Sequence, residues 1–132
     1  MKILVDLEHI KKEYLLKLAG GSSDQMLLNE LAKDFDYEIR IKVASNKHTS
    51  EMLLHELSQD GLSNVRKEVA ANPNTSIITL DNLSKDEDNT VVRRVVCNPS
   101  TPLNTLKQIS KEGDLLSSNH AEYRIEKGEY KK

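Results

Sequence analysis

Several kinds of residue are scarce in this sequence, and each scarcity excludes a class of protein. Cys97 is the single cysteine among 132 residues, so no disulfide can form within the chain. Aromatic residues make up only 4% and tryptophan is absent, so the core must be aliphatic. No apolar run approaches the roughly 18 residues of a membrane-spanning helix. We therefore expect a reduced, soluble, cytoplasmic protein with no membrane partner.

Charged residues are plentiful, at 30%, but the net charge is only -2. A nearly neutral molecule is not drawn as a whole to nucleic acid or to an acidic membrane. Any such attraction requires a local cluster of basic side chains.

A spacing of 26 residues between similar side chains recurs through most of the chain. It joins Asn46, Asn72 and Asn98, and also Val43, Val69 and Val95, Thr49, Thr75 and Thr101, and Leu54, Leu80 and Leu106. Many positions sharing one period indicate a repeat array, whose units bury their apolar faces only by stacking on one another. We therefore predict an all-α superhelix, or solenoid, of about four 26-residue helical repeats.

The predicted organisation is a single domain over residues 1–132. Its four units cover about residues 10–36, 37–62, 63–88 and 89–114, and a polar C-terminal cap or tail covers 115–132. The first helix of unit one merges with an N-terminal helix over about 7–18. Terminal units of repeat proteins are often atypical because they cap the stack.

Each unit is predicted to hold two helices joined by a turn. In the third unit, Val65 and Val69 are four residues apart, which places them on one face of a first, shorter helix. Pro73 ends this helix because it lacks an amide hydrogen and forces Asn72 into extended geometry. The same turn is predicted at Asn98 and Pro99, and a looser one at Asn46, where proline is missing.

A hydroxyl side chain follows each turn. Ser23, Thr49, Thr75 and Thr101 hold equivalent positions, and we expect each to cap a second, longer helix. In the third unit this helix covers about residues 76–85, with Ile77, Leu80 and Leu83 facing inward. The equivalent buried residues are Leu28, Leu31, Leu54, Leu57, Leu106 and Ile109.

The first helix and turn of the third unit carry a motif. It reads Val-Arg-x-x-Val-Ala-x-Asn-Pro-x-Thr from Val65 to Thr75, and a second good copy runs from Val92 to Pro102. With the leucine helix that follows, it resembles the variant leucine-rich repeat family over about residues 20–112. The resemblance implies a right-handed superhelix of alternating α- and short 3₁₀-type helices, similar to HEAT and armadillo stacks. One member type carries a cysteine-rich iron–sulfur module, which a chain with one cysteine cannot hold, so no cofactor is expected.

No catalytic or metal-binding group is predicted from residue spacing. Cys97 is equivalent to Ala71 and Ser45, small residues, which indicates a packing role. A nucleophilic thiol needs a base, and the sequence places no histidine beside it. The histidines at 9, 48, 55 and 120 have no zinc-binding spacing and are expected on the surface.

Basic residues recur on the first, shorter helices. They are Arg40, Lys42, Arg66, Lys67, Arg93 and Arg94. Stacked units would align them as a basic stripe, which could grip an acidic protein surface or a nucleic-acid backbone. Alternatively, they pair with acidic residues from the adjacent loops, namely Asp36, Asp60, Glu68, Asp86 and Asp88.

The sequence therefore predicts a non-enzymatic scaffold for protein–protein interaction, with the basic stripe contacting an unidentified, acidic partner. The alternative is binding of a nucleic-acid backbone by the same stripe. Aromatic residues that could stack on bases do not interleave with the stripe, which argues against single-strand binding.

Overall fold

The computed structural model describes the backbone of residues 2–132 and the side chains of residues 7–132. Within this part of the chain, the regular secondary structure is entirely helical. Its helices are α1 (Lys2–Gly21), α2 (Gln25–Leu31), α3 (Tyr37–Ser45), α4 (Glu51–Leu57), α5 (Ser63–Ala71), α6 (Ile77–Leu83), α7 (Asn89–Cys97), α8 (Leu103–Glu112) and α9 (Leu115–Lys127). The prediction of an all-α fold is confirmed.

The relative helix lengths differ from those predicted. The first helices α3, α5 and α7 are α-helices of nine residues each, whereas the second helices α2, α4 and α6 have seven. The expectation of a longer second helix holds only for α8, with ten residues. We refer below to first and second helices by their order in each unit.

The second helices begin one residue later than predicted. Ser50 and Ser76 cap α4 and α6, and Asp24 caps α2, each accepting a hydrogen bond from a backbone amide of the first turn. Pro102 holds the equivalent position before α8. The predicted caps at Ser23, Thr49, Thr75 and Thr101 are therefore wrong.

The hydroxyl groups of Thr49, Thr75 and Thr101 donate to main-chain carbonyls of the preceding first helix and do not cap the helix that follows. Oγ1 of Thr75 donates to the carbonyl of Val69 at 2.6 Å, and the side chain is buried. This bond satisfies a carbonyl at the end of the first helix, where helical partners run out. Thr49 and Thr101 bind the carbonyls of Val43 and Val95 in the same way.

The first helices pack side by side in chain order. α3 contacts α1 and α5, and α7 contacts α5 and α9, while each second helix contacts mainly the first helices that flank it. Val65, Val69, Leu80 and Leu83 are buried, as predicted, and their equivalents also form the core. Ile77 was predicted to face inward but is 45% exposed.

Buried asparagines connect neighbouring units. Nδ2 of Asn72 donates to the carbonyls of Ala44 and Asn46 at 2.9 and 3.0 Å, while Oδ1 accepts from the amide of Asn74. A buried side-chain amide is stable only when its polar atoms are paired in this way. Asn46 binds Ala19 and Ser22, and Asn98 binds Ala70 and Asn72, by the same pattern.

The proline after the asparagine is not what shapes the turn. Asn46, followed by lysine, has φ -70° and ψ 124°, and Asn72, followed by Pro73, has φ -71° and ψ 124°. Asn98, before Pro99, has φ -71° and ψ 125°. The predicted loosening at Asn46 is therefore wrong, because the asparagine side chain fixes the turn with or without proline.

The C-terminal segment is ordered as a helix and a returning tail. Arg124 holds the position one repeat after Asn98 and is buried, and its Nη1 donates to the carbonyls of Val96 and Asn98. Burial lowers the pKa of Arg124 below its usual value. α9 ends at Lys127, and Gly128 follows it with a φ of 70°, which favours glycine. Lys131 then donates its amide to the carbonyl of Thr101. Of the two predicted alternatives for 115–132, the structure has the capping helix.

Candidate interaction surfaces

Two arginines of the predicted basic stripe join consecutive loops. Arg66 Nε lies 2.8 Å from Oδ2 of Asp86, and its Nη1 donates to the carbonyl of Asp60 at 2.8 Å. Its side chain is only 12% exposed. The Asp86 carboxylate raises the pKa of Arg66 above its usual value, since it stabilises the charged guanidinium.

Arg40 repeats this arrangement one unit earlier. Its Nε lies 2.7 Å from Oδ2 of Asp60, and its Nη1 donates to the carbonyls of Asp34 and Phe35. Asp60 therefore binds Arg40 through its carboxylate and Arg66 through its carbonyl. This chain of contacts fixes each loop to the next, so both arginines have a structural role.

Arg93 also pairs with an aspartate, from a position shifted by one residue along the helix. The repeat places the equivalent of Arg66 at Val92, which is buried, and Arg93 is the next residue. Nη2 of Arg93 is 2.9 Å from Oδ2 of Asp114. The side chain of Arg93 is 42% exposed, more than those of Arg40 and Arg66.

The remaining basic residues of the stripe are not held in ion pairs among the described residues. Lys42 and Arg94 are exposed, and Lys67 is half-buried and donates to Oδ1 of Asn64 at 3.2 Å. The structure thus divides the six cations into three bound arginines and three more available groups. They do not form one continuous row of free charge.

The second helices carry an exposed apolar row that was not predicted from the sequence. Met26, Met52 and Ile78 hold equivalent positions in consecutive repeats, on α2, α4 and α6, and they are 81%, 77% and 70% exposed. We call these three residues the apolar row. Single exposed apolar residues are ordinary, so it is their shared position in three consecutive repeats that makes these side chains a candidate interaction surface. Their common spacing was visible in the sequence, whereas their exposure required the structure.

A groove beside this row lies between α2 and α4. It has a volume of about 580 Å³. Leu53, which is buried, and Leu27, which is partly buried, contribute apolar surface to it, next to the two exposed methionines. The rest of the lining is polar and consists of Asn29, Glu30, Lys33, Ser50 and Glu56.

Polar contacts bridge the later pairs of second helices at the corresponding place. His55 Nδ1 lies 2.8 Å from Oγ1 of Thr79, which joins α4 to α6. Thr105 Oγ1 similarly donates to Asp81, which joins α6 to α8. In the α2–α4 pair the equivalents are Asn29 and Leu53, and leucine cannot make this bond. An apolar side chain therefore lines the α2–α4 groove where the later pairs have a polar bridge.

Cys97 is exposed rather than packed in the core, so the predicted packing role is wrong. Its Sγ lies 3.8 Å from Nδ1 of His120, which α9 brings back beside the end of α7. The sequence could not show this pairing, because the two residues lie on different helices. His9 and His48, also expected on the surface, are exposed.

Within the described residues, no three His, Cys, Asp or Glu side chains are grouped so that they could hold a metal ion. No helix in that same part of the chain combines the length and apolar character needed to cross a membrane.

Comparison with protein-family models, curated proteins and solved structures found no significant match for this chain.

Proposed function

We propose that this chain is a right-handed helical-repeat solenoid of the kind seen in the variant leucine-rich repeat family, and that it binds another protein without catalysing a reaction. The side-by-side packing of α1, α3, α5, α7 and α9 supports such a stack. So do the contacts of Asn46, Asn72 and Asn98, which recur at the repeat spacing. Its proposed location is the cytoplasm, where an exposed thiol such as Cys97 stays reduced.

The apolar row is the observation that carries the proposed binding function. Met26, Met52 and Ile78 contribute little to the core, because most of each side chain is exposed. Exposed apolar groups in register offer binding energy to a partner that can remove them from water. Methionine also adapts its shape to a partner because its side chain is unbranched and flexible.

The row replaces the basic stripe as the proposed contact surface. Arg40 and Arg66 already bind Asp60 and Asp86, so an acidic partner would have to break these bonds. The same consideration weakens the proposal of nucleic-acid binding, because fewer cations are available to neutralise phosphates.

The test is capture of proteins from cell lysate, with nuclease present, by three forms of the chain. They are the wild type, a Met26→Gln, Met52→Gln, Ile78→Gln variant, and a Leu116→Gln control. Leu116 is also apolar and 62% exposed, but it lies on α9. We expect proteins that bind the wild type and the control to be lost with the triple variant.

Equal capture by all three forms would contradict the proposal. Circular dichroism and thermal melting of each variant establish that its fold is intact before capture is compared. Substitution of exposed side chains should change the unfolding free energy by no more than about 0.5 kcal/mol per site.

A further inference from the structure

Resting on that proposed function, we infer that the α2–α4 groove binds an amphipathic helix of the partner protein, with its apolar face flanked by lysine or arginine. The groove offers apolar surface from Met26, Leu27, Met52 and Leu53. Its volume of about 580 Å³ lies in the range of sites that enclose a few side chains. The occupant therefore inserts a small number of apolar anchors.

A helix suits this groove better than an extended peptide. The walls are the side chains of two helices, and a helix does not present a row of free main-chain donors and acceptors along its side. An extended peptide relies on main-chain hydrogen bonds that such walls cannot supply. A bound helix satisfies its own main chain, so side-chain contacts are sufficient.

The length of the groove limits the anchoring segment. α2 and α4 have seven residues each, which corresponds to about 10 Å of helix. Two turns of a partner helix span this distance. Residues spaced i, i+3 or i+4, and i+7 on that helix would lie on the face that enters the groove.

The charge around the groove selects a basic partner. Glu30 and Glu56 line the groove together with one cation, Lys33. Glu51 is exposed at the start of α4, next in sequence to the lining residues Ser50 and Met52. None of these three carboxylates is held in an ion pair within the described part of the chain. Lysine or arginine beside the apolar anchors would pair with them, whereas acidic flanks would be repelled.

Three fluorescent peptides of equal length test this inference by anisotropy. The first has leucines spaced i, i+3, i+4 and i+7 with lysine flanks, and the second has the same leucines with glutamate flanks. The third has the composition of the first with its leucines scattered around the helix. We expect the first peptide to bind the wild-type chain most tightly.

Variants of the chain separate the contribution of the apolar side chains to peptide affinity from that of the carboxylates. Met26→Gln with Met52→Gln should weaken binding of the first peptide about tenfold or more, because two anchors lose their apolar contacts. Glu30→Gln with Glu56→Gln should weaken it about two- to fivefold, as expected for exposed ion pairs. Leu116→Gln is the matched control, and its affinity should equal that of the wild type.

Several outcomes would overturn the inference. They are absence of binding, equal binding of the glutamate-flanked or scattered peptide, and insensitivity to the methionine substitutions. A concentration-dependent increase in mass that the same substitutions abolish would instead assign the groove to a second copy of the chain. If no peptide binds but the triple variant still loses proteins captured by the wild type, the inference of a basic helix is rejected and the proposed protein-binding function is retained. If no peptide binds and capture is the same for all forms, both the inference and the proposed function are rejected.

Discussion

The side-chain amide of Asn72 donates to the main-chain carbonyl of Asn46, the equivalent asparagine of the preceding unit, at 3.0 Å. Asn98 donates to the carbonyl of Asn72 in turn, at 2.9 Å. Asn72 and Asn98 therefore each use the side chain to bind the main chain of the preceding asparagine, and Asn46 binds the carbonyls of Ala19 and Ser22 instead. Neighbouring units are joined by a continuous series of buried hydrogen bonds.

Replacing Asn72 with alanine should destabilise the protein strongly. The variant Asn72→Ala loses three hydrogen bonds and removes the side-chain donor from two buried carbonyls, at a cost of about 2–3 kcal/mol. Urea unfolding followed by circular dichroism measures this change. Asn104→Ala is the control, because Asn104 is exposed on α8. Equal midpoints for the two variants would show that the bridge contributes nothing.

Two arginines of the basic stripe should respond differently to substitution. Arg66→Ala removes the charged hydrogen bonds to Asp86 and a bond to the carbonyl of Asp60, so a loss of about 2 kcal/mol is expected. Arg94→Ala removes an exposed side chain and should change stability by less than about 0.5 kcal/mol. The two unfolding midpoints provide the comparison. A loss at Arg94 as large as that at Arg66 would contradict the assigned structural role.

The N-cap of α7 should make stability depend on pH in the acidic range. Hydrogen bonds from the side chain and amide of Thr90, and from the side chain of Ser63, lower the pKa of Asp88 from 3.8 to about 2. Because the folded-state pKa is the lower one, the stabilisation is present above about pH 4. It is lost as the pH falls through about 2.

Asp88→Asn provides the matched variant, since asparagine also caps helices but does not titrate. Urea midpoints of both proteins should be compared between pH 5 and pH 2. We expect the wild type to lose more stability than the variant over that range. A difference between the two proteins that does not change with pH would contradict the assigned pKa.

The exposed position of Cys97 predicts a readily modified thiol. A chromogenic disulfide reagent should label the native protein completely without denaturant. Labelling only after unfolding would instead indicate the packed cysteine expected from the sequence. Cys97→Ser should remove the signal and change the unfolding free energy by no more than about 0.5 kcal/mol.

The core could be predicted from the sequence because burial follows local periodicity. Val65 and Val69 are four residues apart, and Leu80 and Leu83 are three apart, so each pair shares one face of a helix. All four are buried. Ile77, the first residue of α6, satisfied the same spacing but is 45% exposed.

The roles of polar residues could not be predicted in this way. Threonine is a residue type favoured at N-caps, so the sequence suggested that role for Thr75. Only the three-dimensional structure shows that its hydroxyl donates to the carbonyl of Val69. Arg66 belongs to a basic stripe in sequence, but its partner Asp86 is 20 residues away. Such bonds depend on the positions of two units relative to each other, which no local pattern contains.

The sequence by itself determined the helical class, the repeat period and most of the buried aliphatic positions. These properties follow from the spacing of apolar side chains along a helix, which can be read directly from the amino-acid sequence. The tertiary structure decided which arginines form ion pairs and where the α2–α4 groove lies. It also decided that Cys97, Met26 and Met52 are exposed. Those properties depend on packing between helices, because the same residue type is structural when a neighbour covers it and available for binding when none does.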